Sequence, residues 1–164
     1  MSDYSDHPLF LAKKESTAYH EAGHCVAAIK LGVGVERVEM FPGLQDDGSM
    51  PEGITTYAGD FRDLSRTDAI ICFLAGPLAE KRIGACRWQK SSPSDFKRID
   101  NILRGSGLDI KELAITAERL LSQWWSEVEL LQSELLHRGV MIESEILERS
   151  DRGWRPLQTN LHAR

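Results

Sequence analysis

The feature that most constrains this chain is the run His20-Glu21-Ala22-Gly23-His24. Two histidines four residues apart on an α-helix lie one turn above each other, so both imidazoles can reach one cation. We predict such a helix over about 16–31, because Ser16 can serve as its N-cap and two glycines follow it closely. Its buried face has apolar residues at helical spacing, namely Ala18, Ala22, Cys25, Val26 and Ile29.

The residues between the two histidines add to this prediction. Glu21 lies about 100° around the helix from His20, where its carboxylate can touch a water on the metal without becoming a ligand. Gly23 is a poorer helix former than Ala by about 1 kcal/mol, which indicates close approach of another backbone or a ligand. The alternative is a helix whose histidines merely cap or pack. The geometry suits zinc, and the pattern predicts a zinc-dependent hydrolase.

A catalytic zinc site normally has three protein ligands and one water, so a third ligand is required. We rank carboxylates above the remaining histidines, which fall in predicted tails or near a helix end. The candidates are Glu80, Asp95, Asp100, His7, His137 and His162. Asp95 has an equally good second explanation, because Ser92-Pro93-Ser94-Asp95 fits a helix start capped by Ser92. Spacing alone leaves the third ligand open.

Composition excludes several other classes of protein. A chain of 164 residues suits one domain, and a net charge of -5 with no basic face argues against nucleic-acid binding. The longest apolar stretch, 69–79, is far shorter than the roughly 20 residues of a membrane span. The N-terminus lacks a secretory pattern, so we expect a cytoplasmic protein. Three cysteines without a C-x-x-C pair, Cys25, Cys72 and Cys86, are expected to be buried apolar residues.

The whole pattern predicts a mainly α-helical α+β domain over residues 13–150, between a flexible arm at 1–12 and a mobile tail at 151–164. Alternation at 35–41 and 54–57 predicts two paired strands joined by a mobile surface loop. Helices are expected at 64–83, kinked by Pro77, and at about 93–104. An apolar stripe from Leu113 to Leu135 predicts one long helix, followed by a turn at Gly139 and a short helix to about 149.

Three segments of the sequence carry a resemblance to a known family. They read Thr17-Ala18-Tyr19-His20-Glu21-Ala22-Gly23-His24-Cys25-Val26-Ala27-Ala28, then Leu74-Ala75-Gly76-Pro77-Leu78-Ala79-Glu80, then Ser94-Asp95-Phe96-Lys97-Arg98-Ile99. In that order they resemble the active-site helix, the Gly-Gly-Arg-x-Ala-Glu segment and the Asn-Asp-Leu segment of the FtsH family of bacterial and organellar zinc proteases. With the C-terminal helices, the resemblance covers about residues 16–149.

The resemblance implies a zincin-like, helical FtsH peptidase domain with a small β-hairpin or sheet. It implies zinc ligands His20, His24 and Asp95, because the family's Asp at the last position completes the zinc site. It also implies Glu21 as the general base that activates a zinc-bound water for attack on a peptide bond. Strand 54–57 would align an extended substrate. The replacement of Gly-Gly-Arg by Ala75-Gly76-Pro77 bears on the substrate groove and subunit contacts more than on zinc binding.

The sequence contains neither a phosphate-binding G-x-x-x-x-G-K-[ST] loop nor a membrane segment. We therefore expect a stand-alone peptidase domain that cleaves peptides or flexible proteins, or that works with an unfolding ATPase from another chain. The oligomeric state is left open. Two alternatives are a zinc-stabilised module that binds a peptide or partner without cutting it, and a helical interaction domain without metal.

Overall fold

A computed structural model describes residues 8–46, 48–58, 64–85 and 92–150 of the chain. Over these residues the fold is mainly helical with one small antiparallel sheet, so the predicted α+β class is confirmed. No helix in these ranges is both long enough and apolar enough to cross a membrane. The elements in chain order are α1 (Pro8–Lys30), β1 (Gly34–Met40), β2 (Gly53–Ala58), α2 (Arg66–Arg82), α3 (Pro93–Leu103), α4 (Ile110–Gln123), α5 (Trp125–Arg138), β3 (Val140–Ile142) and α6 (Glu143–Ser150).

The central element is α2, which is buried continuously from Ala69 to Glu80. A helix buried on all sides needs neighbours around it, and α1, α3 and α4 pack against it. At Gly23 of α1, a Cβ atom would lie 2.6 Å from the carbonyl oxygen of Ala75 and 2.8 Å from Cβ of Ala79. Glycine is therefore required at this crossing, as its poor helix propensity indicated. The contact fixes the next residue, His24, against α2.

The sheet has β1 in its middle, in the order β2-β1-β3. β1 and β2 pair antiparallel from Gly34 with Ala58 to Met40 with Gly53, so the two predicted strands are confirmed. β3 pairs with β1 on the other side. The sequence did not indicate β3, because three residues are too few to show alternation. The second edge of β2 has no partner strand within the described residues.

The first helix begins earlier than predicted. α1 starts at Pro8, so the predicted start and N-cap at Ser16 are wrong. Proline suits the first helical turn because its missing N–H has no partner there. Residues 8–12, which we assigned to the arm, therefore belong to α1. Residues 1–7, the predicted tail at 151–164 and Cys86 lie outside the described residues, whereas Cys25 and Cys72 are buried free thiols, as predicted.

The long helix predicted between Leu113 and Leu135 is two helices, because the backbone leaves the helical path at Trp124 with φ -115° and ψ 24°. The apolar spacing continues across the break, so periodicity could not reveal it. The break lets α4 pack on α2 and α5 pack on α1. The Trp124 ring lies 3.7 Å from Nζ of Lys30, whose fully buried ammonium also contacts the Glu127 carboxylate at 2.9 Å.

Candidate metal centre

Three side chains from two helices converge on one point. His20 and His24 of α1 face each other with their Nε2 atoms 2.9 Å apart. Oδ2 of Asp95, in the first turn of α3, lies 3.1 Å from His20 Nε2 and 3.3 Å from His24 Nε2. The side chains are only 12%, 5% and 9% exposed, in that order. The structure thus brings together the two histidines of the motif and one of the candidate carboxylates.

The spacing of these three atoms fits a small metal ion. A tetrahedral ion with ligand bonds of about 2.0 Å places its ligand atoms about 3.3 Å apart. The observed separations of 2.9, 3.1 and 3.3 Å are equal to that value or slightly shorter. Two imidazole nitrogens and one carboxylate oxygen are also a donor set that zinc accepts. The group could therefore hold a metal ion, and the geometry by itself does not select which one.

The outer nitrogens of both imidazoles have partners that determine which nitrogen carries hydrogen. Nδ1 of His24 donates to the carbonyl oxygen of Cys72 in α2 at 2.8 Å, because a carbonyl can only accept. Nδ1 of His20 lies 3.2 Å from Oε2 of Glu80, whose other oxygen accepts from the Ser16 hydroxyl at 2.6 Å. Ser92 Oγ is 3.3 Å from the same Nδ1. This arrangement directs the Nε2 atoms of both imidazoles at the same point, as in proteins where a carboxylate or carbonyl orients a metal-binding histidine.

The neighbouring carboxylates raise the affinity of His20 for a proton. Burial alone lowers the pKa of His20, but its hydrogen bonds to Asp95 and Glu80 outweigh burial and raise the pKa to about 10. Burial raises the pKa of Asp95, but electrostatic attraction to His24 and the hydrogen bonds to both histidines lower it well below its usual range. In the absence of metal, a proton on His20 occupies this position at neutral pH. A metal ion must displace that proton, so metal and proton compete for the site.

Glu21 lies beside this group without joining it. Its carboxylate is buried, and Oε2 accepts a 2.7 Å hydrogen bond from the hydroxyl of Thr55 in β2. A Cβ atom on Gly53, at the start of β2, would lie 2.6 Å from Cγ and 2.7 Å from Cδ of Glu21. β2 thus approaches the Glu21 side chain at two residues, through the hydrogen bond from Thr55 and through the close approach of Gly53. This leaves its carboxylate at the wall of an open groove.

The groove that passes over the three candidate ligands has two branches. The smaller branch, of about 230 Å³, extends towards Thr17, Glu52 and Glu80. The larger, of about 740 Å³, extends along β2 towards Thr55, Tyr57 and Arg98. Both branches are lined by His20, Glu21, Met50, Pro51, Gly53, Pro93, Ser94 and Asp95. A molecule lying along β2 would therefore cross the three candidate ligands and the Glu21 carboxylate.

Gly76 of α2 lies against the imidazole rings of His20 and His24. A Cβ atom at this position would lie 2.7 Å from Cε1 of His24 and 2.8 Å from Nε2 of His20, so both imidazoles need a glycine here. The sequence offered one signal, because Gly76 lies in the second family-like segment. Pattern reasoning gave no reason for a glycine inside a helix at that point.

Replacing Gly76 by Ala therefore provides a test of the centre. Ala is the better helix former by about 1 kcal/mol, so α2 should persist. The added methyl group would press on both Nε2 faces and prevent the imidazoles from sharing one ion. We expect Gly76→Ala to lose at least about 100-fold in zinc affinity, measured by chelator competition, with a circular dichroism spectrum like that of the wild type. Wild-type zinc affinity in a folded Gly76→Ala protein would show that the imidazoles do not meet at this position.

The remaining candidates fall outside the group of three. Glu80 contacts the outer nitrogen of His20 and so orients a candidate ligand instead of being one. Asp100 and His137 are exposed, on α3 and α5. His7 and His162 lie outside the described residues. Sequence reasoning missed the partners of the site, Ser16, Thr55 and the Cys72 carbonyl, since each comes from a tertiary contact.

The expected second role of Asp95, in a capped helix start, is only partly realised. Ser92 occupies the N-cap position and Pro93 the first turn of α3, but the Ser92 hydroxyl makes no capping hydrogen bond. That hydroxyl approaches His20 instead. Both Ser92 and Asp95 therefore direct their side chains at the histidine pair. The first turn of α3 thus contacts the candidate metal centre through two residues.

Comparison of the sequence with protein-family models and with curated proteins finds no match. What this centre does is therefore inferred from its own geometry and chemistry.

Proposed function

We propose that this chain is a zinc metallopeptidase with an FtsH-type, zincin-like peptidase domain. The observation that carries the proposal is the combination of the His20–His24–Asp95 group with an adjacent carboxylate, Glu21, that is held off the group by Thr55. A structural zinc site normally has four protein ligands and needs no carboxylate beside the metal. A hydrolytic site has three protein ligands, an open position for water and a general base next to it. The groove supplies the open side.

Zinc at this position would act as a Lewis acid that polarises a peptide carbonyl and makes water acidic enough to deprotonate near neutral pH. His20, His24 and Asp95 would hold it. Glu80 and the Cys72 carbonyl keep the two imidazoles oriented through their Nδ1 atoms. Because of these contacts, the two imidazole rings would keep the same orientation whether or not a substrate is bound.

Glu21 would carry the proton transfers. Thr55 already donates to Oε2, so we assign the proton from the attacking water to Oε1, the oxygen beside which Gly53 has no side chain. The same oxygen then returns the proton to the leaving amine, which must be protonated to depart. A side chain at position 53 would collide with the Glu21 carboxylate, so a glycine is needed beside the proposed base.

The substrate would bind in extended form along β2. The outer edge of β2 has no partner strand in the described part of the chain. The larger branch of the groove is lined by four residues of this strand, Gly53, Ile54, Thr55 and Tyr57. A peptide added at such an edge gains backbone hydrogen bonds without regard to its sequence. Extended binding requires an unfolded segment, so the substrate is a flexible protein, or one that an unfolding ATPase on another chain delivers.

Cleavage of casein tests the proposed function. We expect the zinc-loaded protein to degrade casein, a chelator to stop the reaction, and added zinc to restore it, with fragments followed by gel electrophoresis and mass spectrometry. Circular dichroism of the chelated sample would establish that the fold persists. Unchanged degradation by the metal-free protein would remove zinc from the proposed mechanism.

A further inference from the structure

Arg98 has a distinctive place in the groove. It lies on α3 one turn after Asp95, so it stands on the same side of the helix as that candidate ligand. Among the described residues that line the two branches, Arg98 is the one Lys or Arg, and it lines the larger branch. The smaller branch carries Glu52 and Glu80. The larger branch is therefore lined by one cationic Arg side chain, whereas no Lys or Arg lines the described part of the smaller branch.

The Arg98 side chain is exposed and lies over an aromatic ring. The central guanidinium carbon lies 5.3 Å from the centroid of the buried Phe73 ring, a cation–π distance that limits where the side chain can swing. The residue is exposed, and no carboxylate among the described residues forms an ion pair or hydrogen bond with it. The cationic side chains of Lys13 and Lys81, in contrast, each pair with a glutamate. Within the described part of the chain, the five N–H donors of Arg98 have no carboxylate partner.

We propose that Arg98 binds a carboxylate of the substrate, so that the larger branch selects peptides with an acidic side chain or a free C-terminus near the cleaved bond. A guanidinium recognises a carboxylate through two parallel hydrogen bonds, and its neutral neighbours Gln45, Ser49 and Tyr57 do not compete for that charge. The smaller branch has no Lys or Arg among its described lining residues, and its carboxylates Glu52 and Glu80 already contact Lys13 and His20, so an acidic residue finds a free cationic partner at the Arg98 end. The substrate would therefore be bound in one direction. This inference rests on the proposed peptidase function of the centre.

Matched peptides test the inference by cleavage. A quenched fluorescent series carries one Glu at successive positions of a neutral sequence, with parallel series carrying Gln or Lys, each as C-terminal acid and C-terminal amide. At one position, or at the C-terminus, we expect the wild type to prefer the carboxylate peptide in kcat/KM by about fivefold, the size of a good exposed ion pair. Arg98→Gln should abolish the preference, Arg98→Lys should restore part of it, and Arg98→Glu should favour the Lys peptide. Comparison of the acid and amide forms separates a C-terminal carboxylate from a side chain.

Lys97→Gln is the matched control, because Lys97 is exposed on the same helix and does not line the groove. It removes the same charge and should keep the wild-type preference. An unchanged Glu-to-Gln ratio in Arg98→Gln, or an equal loss in Lys97→Gln, would overturn the role of Arg98 and leave the peptidase proposal standing.

Binding of the same peptides to Glu21→Gln, measured by fluorescence anisotropy, separates the two proposals. A carboxylate preference in binding that disappears in the double variant with Arg98→Gln supports the role of Arg98 even if the wild type cleaves nothing, in which case only the peptidase proposal fails. Absence of any carboxylate preference in both binding and cleavage overturns the role of Arg98.

Discussion

Glu21→Gln should abolish casein cleavage while leaving bound zinc at the wild-type level. The amide keeps the shape of the side chain and can still accept the hydrogen bond from Thr55, but it cannot take up a proton at neutral pH. Loss of a general base typically costs about 10²- to 10⁴-fold in rate, and we expect a decrease near the upper end because Glu21 serves in both proton transfers. Initial rates and zinc content, measured on the same preparations, check both halves of this prediction.

The control for this variant is Glu15→Gln. Glu15 lies on the same helix in an exposed position, so the substitution removes one carboxylate of α1 without approaching the centre. It should cleave casein at the wild-type rate. Full activity in Glu21→Gln would exclude Glu21 as the base. Zinc binding without cleavage by the wild type would instead favour the zinc-stabilised binding module.

Asp95→Asn should weaken zinc binding by more than about 100-fold, because loss of even an outer-sphere partner of a metal typically costs 10- to 100-fold. The carboxylate is buried, and its Oδ2 lies within 3.3 Å of both Nε2 atoms. An amide oxygen at this place lacks the negative charge that offsets the metal. The affinity is measured by competition with a chromophoric chelator at fixed pH, since His20 must lose a proton when the ion binds.

Asp100→Asn is the matched comparison for Asp95→Asn. Asp100 lies on the same helix, five residues further along, but is exposed. Removing its charge changes the net charge by the same amount, yet zinc affinity should stay within about twofold of the wild type, since exposed charges are well screened. The reverse order of the two variants would mean that a different carboxylate completes the centre.

Part of the site could be predicted from local sequence, because its determinants are local. His20 and His24 are placed on one face by helix periodicity alone, and the same periodicity places Glu21 beside them. The strand that carries Thr55 follows from alternation, whereas Gly53 at its start lay in the predicted loop. Asp95 is different, since an acid in the first turn of a helix also has a purely local explanation. Only the approach of α3 to α1 shows that its side chain is directed at the histidines.

The remaining features depend on contacts between segments far apart in the chain. Glu80 and Ser16 are 64 residues apart, and their hydrogen bond requires α1 and α2 to be in register. The need for glycine at Gly76 arises because two imidazoles from another helix lie against it. The start of α1 at Pro8 and the break at Trp124 were also missed. At Trp124 the spacing of apolar residues continues across the break, and near Pro8 the apolar run Leu9-Phe10-Leu11 shows no helical spacing.

The electrostatics of the centre favour the binding of a cation. Glu21, Glu80 and Asp95 are buried carboxylates grouped around two imidazoles. Buried charges are costly unless they are paired or bound to a metal. A single proton on His20 offsets only part of this charge, whereas a divalent ion offsets more of it. Metal binding should therefore stabilise the folded state by mass action, so the melting temperature should rise with zinc concentration.

The most direct test of the central claim is the zinc content of the purified protein after dialysis, measured by elemental analysis alongside the His20→Ala and His24→Ala variants. The account predicts close to one zinc per wild-type chain and almost none in either variant, with X-ray absorption showing two imidazole nitrogens and a carboxylate oxygen around the metal. A wild-type protein that binds no zinc when it is supplied, or variants that retain the full amount, would contradict it.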